Sequence, residues 1–215
     1  MLFNFSAESL RKILSLFHLN TMIKIHFFIL IGVFSLSQSK NRFMPNLPLG
    51  KYRMAFSKIY HCETTKNQLF QFNLYHSKKT SNITEMKGNI TTLINYDDTL
   101  TLDINFSSWG STGGWVPNAL IFNTKEACSK AKILLGNAWL TIMRGFNVST
   151  VGCPVPAGTY ITSGIDLTKF EDNNFPKVYF YGKYKVVFRF ISKENKEVAC
   201  EVMEIHFNRP WETAT

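Results

Sequence analysis

An all-β fold is what this sequence of 215 residues predicts: an immunoglobulin-like β-sandwich or β-cup of two antiparallel sheets with one inserted helix. Three observations carry that expectation. Short segments in which apolar and polar residues alternate recur from residue 50 to the C-terminal region. A single stretch shows the three- and four-residue apolar spacing of a helix. All four cysteines lie beyond an apolar N-terminal leader, the usage of small exported domains stapled by disulfides.

The leader occupies residues 1–39, with Met22 as an alternative start. Lys24 supplies a positive end, Ile25 to Leu36 an apolar core, and Ser37-Gln38-Ser39 small residues for cleavage, the three parts of a secretory signal. An apolar run of about 12 residues is too short for the ~30 Å of a bilayer core, which disfavours a membrane anchor. Residues 40–215 are enough for one domain with a core of its own. The product is expected to be soluble and secreted to the extracellular space, with the lysosomal lumen as the other destination.

The first two strands are expected in GKYRMAFSKIYHC and QLFQFNLYHSKK, the second setting Phe70, Phe72 and Leu74 against Leu69, Gln71 and Asn73. Residues 81–95, polar and threonine-rich, read as one or two exposed strands. TLTLDINF, residues 99–106, alternates without a break. It puts Leu100, Leu102, Ile104 and Phe106 on one face and Thr101, Asp103 and Asn105 on the other. A glycine-rich loop, SSWGSTGGWVPN, follows. The helix is expected over residues 124–146, capped by Thr124, weakened at Gly136 and ended by Gly145. The last two strands, GKYKVVFRFIS and EVACEVMEIHF, flank a polar connection at residues 193–196 and read as a hairpin. On the final strand Ala199, Met203, Ile205 and Phe207 share one side and Cys200 takes the other.

Sequons at Asn82, Asn89, Asn105 and Asn147 predict N-glycosylation, which requires solvent at each occupied asparagine. The outward parity of Asn105 agrees with that requirement.

Catalytic signatures are weak. GSTGG lacks the Gly-Lys-[Ser/Thr] of a phosphate loop, and G-x-S-x-G is absent. Asp97 and Asp98 are adjacent, so on an extended chain they point to opposite faces and read as a turn. The same holds for His61 beside Cys62. A thiol nucleophile at Cys153 would leave an odd cysteine in an oxidising compartment, so two disulfides fit Cys62, Cys128, Cys153 and Cys200 better. No C-x-x-C pair argues for a metal, and no cofactor is expected. The formal net charge of +9 suits anionic headgroups and contact with membrane surfaces, but without long Lys/Arg runs it does not suggest nucleic acid.

The order Cys153-Pro-Val-Pro-Ala-Gly-Thr-Tyr160, then Phe175-Pro176, then Tyr181-Gly-Lys-Tyr-Lys-Val186, then Cys200 on the last strand, resembles the ganglioside activator proteins. It is similar also to the arthropod secreted proteins placed beside the ML-type lipid-recognition family. The resemblance covers about the last 60 residues with order and spacing intact. It implies a β-cup, two splayed antiparallel sheets that hold acyl chains without chemistry, and pairing of Cys62 with Cys200 and of Cys128 with Cys153. The additional cysteines of the ganglioside activators are missing.

The function expected is that of a secreted, non-catalytic glycoprotein that binds, carries or presents a lipid or other hydrophobic molecule in an inter-sheet cavity. The alternative is a closed β-sandwich acting as an extracellular interaction module, a receptor partner or secreted effector, whose protein partner the residues do not name. A hydrolase would need a clustered Ser/His/Asp set or carboxylate pair. The cavity lining is expected from Phe70, Phe72, Leu102, Ile104, Phe106, Trp139, Phe188 and Phe190, and its rim from Trp109, Trp115 and Val116.

Overall fold

In the computed structural model the alternating segments are strands, and every sheet is antiparallel. The structure describes residues 47–63, 68–80 and 83–212, together with His18. Apart from His18, the leader at residues 1–39 lies outside the described residues, as does the sequon at Asn82.

In chain order the elements are β1 (Leu49–Gly50), β2 (Arg53–His61), β3 (Phe70–Lys78), β4 (Thr84–Thr92), β5 (Thr101–Trp109) and β6 (Trp115–Lys125). Helices α1 (Ala127–Leu135) and α2 (Asn137–Gly145) follow, then β7 (Gly158–Asp166) and a short 3-10 turn (Leu167–Glu171). The last strands are β8 (Tyr179–Phe180), β9 (Gly182–Ile191) and β10 (Glu197–Asn208). One sheet has the order β2-β10-β9-β5-β6 and another β3-β4-β7, while β1 and β8 make a small third sheet. Mostly strand with only two helices among the described residues, this is the expected all-β sandwich or cup.

β5 follows from its period-2 pattern: Leu100, Leu102, Ile104 and Phe106 are each at most 5 % exposed. It sits between β9 and β6 with Leu102 opposite Phe190 and Ile104 opposite Phe188, so the inward sets of both strands coincide. β9 and β10 form the hairpin expected, closed where Ser192 N donates to Lys196 O at 2.8 Å.

Three expectations are corrected. Residues 81–95 contribute one strand, β4, and it is the middle of its sheet rather than an exposed ribbon. Met86 and Thr92 are buried, and Gly88 (φ +119°) passes so close to the Asn73 carbonyl that a Cβ would strike it. The reading of SSWGSTGGWVPN as a loop is too long. Only residues 110–114 turn, with Gly110 N donating to Gly114 O at 2.9 Å, and β6 starts at Trp115. Pro117 is tolerated because β6 is an edge strand.

The helix, finally, is two helices broken at Gly136 (φ +55°), and Thr124 belongs to β6 instead of capping. The cap function comes from a distance. Asp98, in the turn before β5, accepts from Ser129 N at 2.8 Å and Ser129 Oγ at 2.6 Å. These bonds hold the Asp98 carboxyl below the usual aspartate range. Its neighbour Asp97 accepts from Thr99 N at 2.8 Å and forms the turn.

The main core lies between the two larger sheets and under α1 and α2, and includes Phe70, Leu102, Ile104, Ala127, Trp139, Val186 and Phe207. Cys62 bonds Cys200 and Cys128 bonds Cys153, the pairing the resemblance implies, with Cα separations of 5.6 and 6.0 Å inside the usual range. Cys153 is therefore no free nucleophile.

Candidate functional site

The sheets do not close on each other. Between β3, β4, β5, β9 and the two helices lies a cavity of about 250 Å³, and beside it, toward β2 and β10, a second of about 250 Å³. Phe72, Ile90, Ile142, Phe146, Phe188 and Phe190 are walls to both, so the two spaces adjoin. Together they fall in the range of small-molecule sites, roughly 300–1,000 Å³.

Strand alternation builds the lining. Phe70, Phe72, Leu102, Ile104, Trp139, Phe188 and Phe190 face the first cavity, and Phe106 faces the second with Met54, Phe56, Val186 and Met203. Phe190 is wedged among Phe70 and Tyr96, with ring centroids 5.5 and 5.2 Å away. Edge and tilted contacts of this kind fix ring orientation.

The aromatic residues with polar tips direct those tips away. Tyr96 OH donates to Ala127 O at 2.9 Å, Trp139 Nε1 to Val151 O at 2.9 Å, and Tyr160 OH to Pro156 O at 2.7 Å. Burial pushes the Tyr96 phenol strongly upward, so it stays a neutral donor. The cavity is left with ring faces and aliphatic carbons. Thr92 in the first cavity and Asn173 and Glu201 in the second are the departures.

Trp109, Trp115 and Val116 line neither cavity. Trp109 and Trp115 meet edge to face, centroids 5.1 Å apart, and Trp109 and Val116 are about half exposed. The Lys183 ammonium lies 5.4 and 5.0 Å from the two ring centroids, and Lys185 lies 5.3 Å from that of Trp115. Parity explains the placement: Trp109 shares the outward side of β5 with Asp103 and Asn105, and Lys183 and Lys185 share the outward side of β9. Of the sequons described, Asn147 is exposed and Asn89 and Asn105 are partly exposed.

Residues the sequence reading missed include Tyr96, Ile90, Phe146 and Phe175, which come from loops, the polar strand β4 and the chain after α2. Glu201 was missed too, although it has the parity of Met203. A glutamate in an alternating strand reads as solvent-facing unless the neighbouring strands are known.

His76, on β3, stands edge-on to Phe56 with ring centroids 6.3 Å apart. Neither ring nitrogen makes a hydrogen bond among the described residues. Burial lowers its pKa, and the nearby Ser57 backbone opposes the shift without being placed to bond. Folded protein thus takes up its proton at lower pH than the unfolded chain, whose imidazole titrates near ~6.5. The resulting stability is present above that value and is lost as pH falls through the folded pKa. His76→Phe is expected to flatten the fall in urea-unfolding free energy between about pH 7 and about pH 5, and to stabilise by ~1 kcal/mol at the acid end. An unchanged slope would place the titration elsewhere, His206 being the other imidazole among the described residues whose pKa is lowered, chiefly by burial.

A family model for the ML domain matches residues 57–207, well over half of the chain. No curated protein matches it.

Proposed function

We propose, from the premise that the chain belongs to the ML-domain family, that it is a secreted, non-catalytic lipid carrier that holds an acyl-chain-sized ligand between its sheets. The family is associated with lipid binding and is not enzymatic. The observation that carries the reading is the pair of adjoining cavities with almost wholly apolar walls.

The energetics are sufficient. Each methylene taken from water contributes roughly 0.8 kcal/mol, so a chain of about sixteen gives ~13 kcal/mol. After an association cost of ~5 kcal/mol, ~8 kcal/mol is left, a Kd near ~1 µM. No strong polar contact is needed for useful affinity.

A closed sandwich would fill the same space with side chains, so the cavities favour the carrier reading. Export is supported by the leader in the sequence and by two formed disulfides, and glycosylation by the partial exposure of Asn89, Asn105 and Asn147. Contact with anionic membrane surfaces is supported by the Trp109, Trp115, Lys183 and Lys185 cluster. No helix among the described residues is long and apolar enough to cross a membrane.

The test is mass spectrometry of organic extracts from natively purified protein, with rebinding after delipidation. Near-stoichiometric lipid and saturable rebinding are expected. Delipidated, folded protein that takes up no apolar ligand would end the proposal.

A further inference from the structure

Glu201 is the only carboxyl or cationic side chain, among the described residues, that lines either cavity. Its register partners are Phe188 on β9, a wall of both cavities, and His61 on β2, so it belongs to the inner surface of the five-stranded sheet. The side chain is only 8 % exposed. One oxygen, Oε2, lies 2.8 Å from His61 Nδ1, and the His61 side chain is 52 % exposed. The pair therefore spans from solvent to the end of an apolar space.

Asn173, the other polar side chain of that cavity, has a partner at each end of its amide. Its Nδ2 donates to Phe170 O and its Oδ1 accepts from Phe175 N at 2.8 Å. By contrast, Glu201 Oε1 has no hydrogen-bond donor among the described residues. A carboxylate offers about four acceptor sites, and leaving them unfilled in apolar surroundings is costly.

We propose that Glu201 is the headgroup anchor of the cavity, and that the ligand is a single-chain amphiphile whose polar end donates a hydrogen bond, a hydroxyl or an ammonium, rather than a fatty-acid carboxylate. The inference rests on the lipid-carrier reading and narrows it. A donor at the chain end fills the vacant acceptor sites of Oε1, whereas a second carboxylate there meets like charge in a medium that screens it little. Burial raises the Glu201 pKa, with the His61 contact opposing the rise, and in either protonation state the carboxyl keeps an oxygen that accepts from a hydroxyl or an ammonium.

The experiment uses delipidated full-length protein near neutral pH with three probes of equal chain length: 1-dodecanol, dodecylamine and dodecanoic acid. The alcohol or the amine is expected to bind roughly tenfold or more tightly than the acid, the scale of one charge-assisted hydrogen bond. The better of the two identifies the donor. Glu201→Gln keeps the shape and removes the charge, and should bring the acid and the amine to within about threefold of each other. Should that variant fail to fold, His61→Ala at its half-exposed position removes the group that opposes the rise in the Glu201 pKa, leaves the carboxyl more readily protonated, and should narrow the amine-to-acid ratio toward that of Glu201→Gln. Equal binding of all three probes, or an unchanged ratio in Glu201→Gln or His61→Ala, overturns the headgroup anchor while the carrier reading stands. Failure of every probe to bind overturns both.

Discussion

Replacing Cys62 and Cys200 together with alanine is expected to lower the unfolding free energy by about 5 kcal/mol, the largest single effect on stability in this chain. The bridge closes a sequence separation of 138 residues, and loop closure restricts the unfolded chain more as the loop lengthens. It also fixes the end of β2, an edge strand whose one ladder neighbour among the described residues is β10, to that neighbour. The Cys128–Cys153 bridge closes a separation of 25 residues, and its removal should cost about 3.5 kcal/mol. Domains are stable by only ~5–15 kcal/mol, so losing the first bridge consumes a large part of the total. Urea unfolding of the two double variants reads the ranking directly. A larger loss from Cys128 and Cys153 would show that local packing, rather than chain closure, sets the contribution of these bridges.

Trp139→Ala should destabilise by about 3–5 kcal/mol, the range for an aromatic removed from a core. Trp139 is 2 % exposed, packs near Tyr96 with ring centroids 6.4 Å apart, and donates to Val151 O. The variant loses that packing, leaves the Val151 carbonyl without its donor, and enlarges the first cavity. A drop in Tm of roughly 10 °C is expected by calorimetry or thermal shift. Ligand distinguishes this site from ordinary core. Saturating apolar ligand should restore part of the loss in Trp139→Ala, because binding to the folded state alone stabilises it. A variant unmoved by ligand would place Trp139 outside the binding space.

Parity made much of this legible beforehand. TLTLDINF gave the inner wall of β5, and the two last strands gave Phe188 and Phe190, because a half-buried strand repeats every two residues and nothing interrupts those runs. Cys153-Pro-Val-Pro supplied the disulfide pairing only through family likeness, since four cysteines alone leave three pairings open. β4 was harder. Its inward positions are Met86, Gly88, Ile90 and Thr92, and glycine and threonine there dilute the apolar signal while its outward lysine and asparagine dominate the composition. β6 hid behind Pro117 and the glycines of its turn, features that an edge strand accepts and a central strand does not. Gly136 was read as a weak point, yet a full break between two helices there, at positive φ, is set by tertiary packing. Glu201 escaped for the plainest reason: hydrophobicity patterns assume that charge faces water.

The hydroxyls of Tyr96 and Tyr160 and the indole nitrogen of Trp139 each end on a backbone carbonyl near the Cys128–Cys153 bridge, at Ala127, Pro156 and Val151. An empty hydrophobic space ordinarily favours inward collapse of its walls. Here three rings are moored from behind to a covalently closed loop, so the walls keep their posture when the cup is vacant. For the lipid carrier proposed above, that posture means a preorganised interior, so loading and unloading need no rebuilding of the walls, and repeated transfer gains more from this than from tight binding.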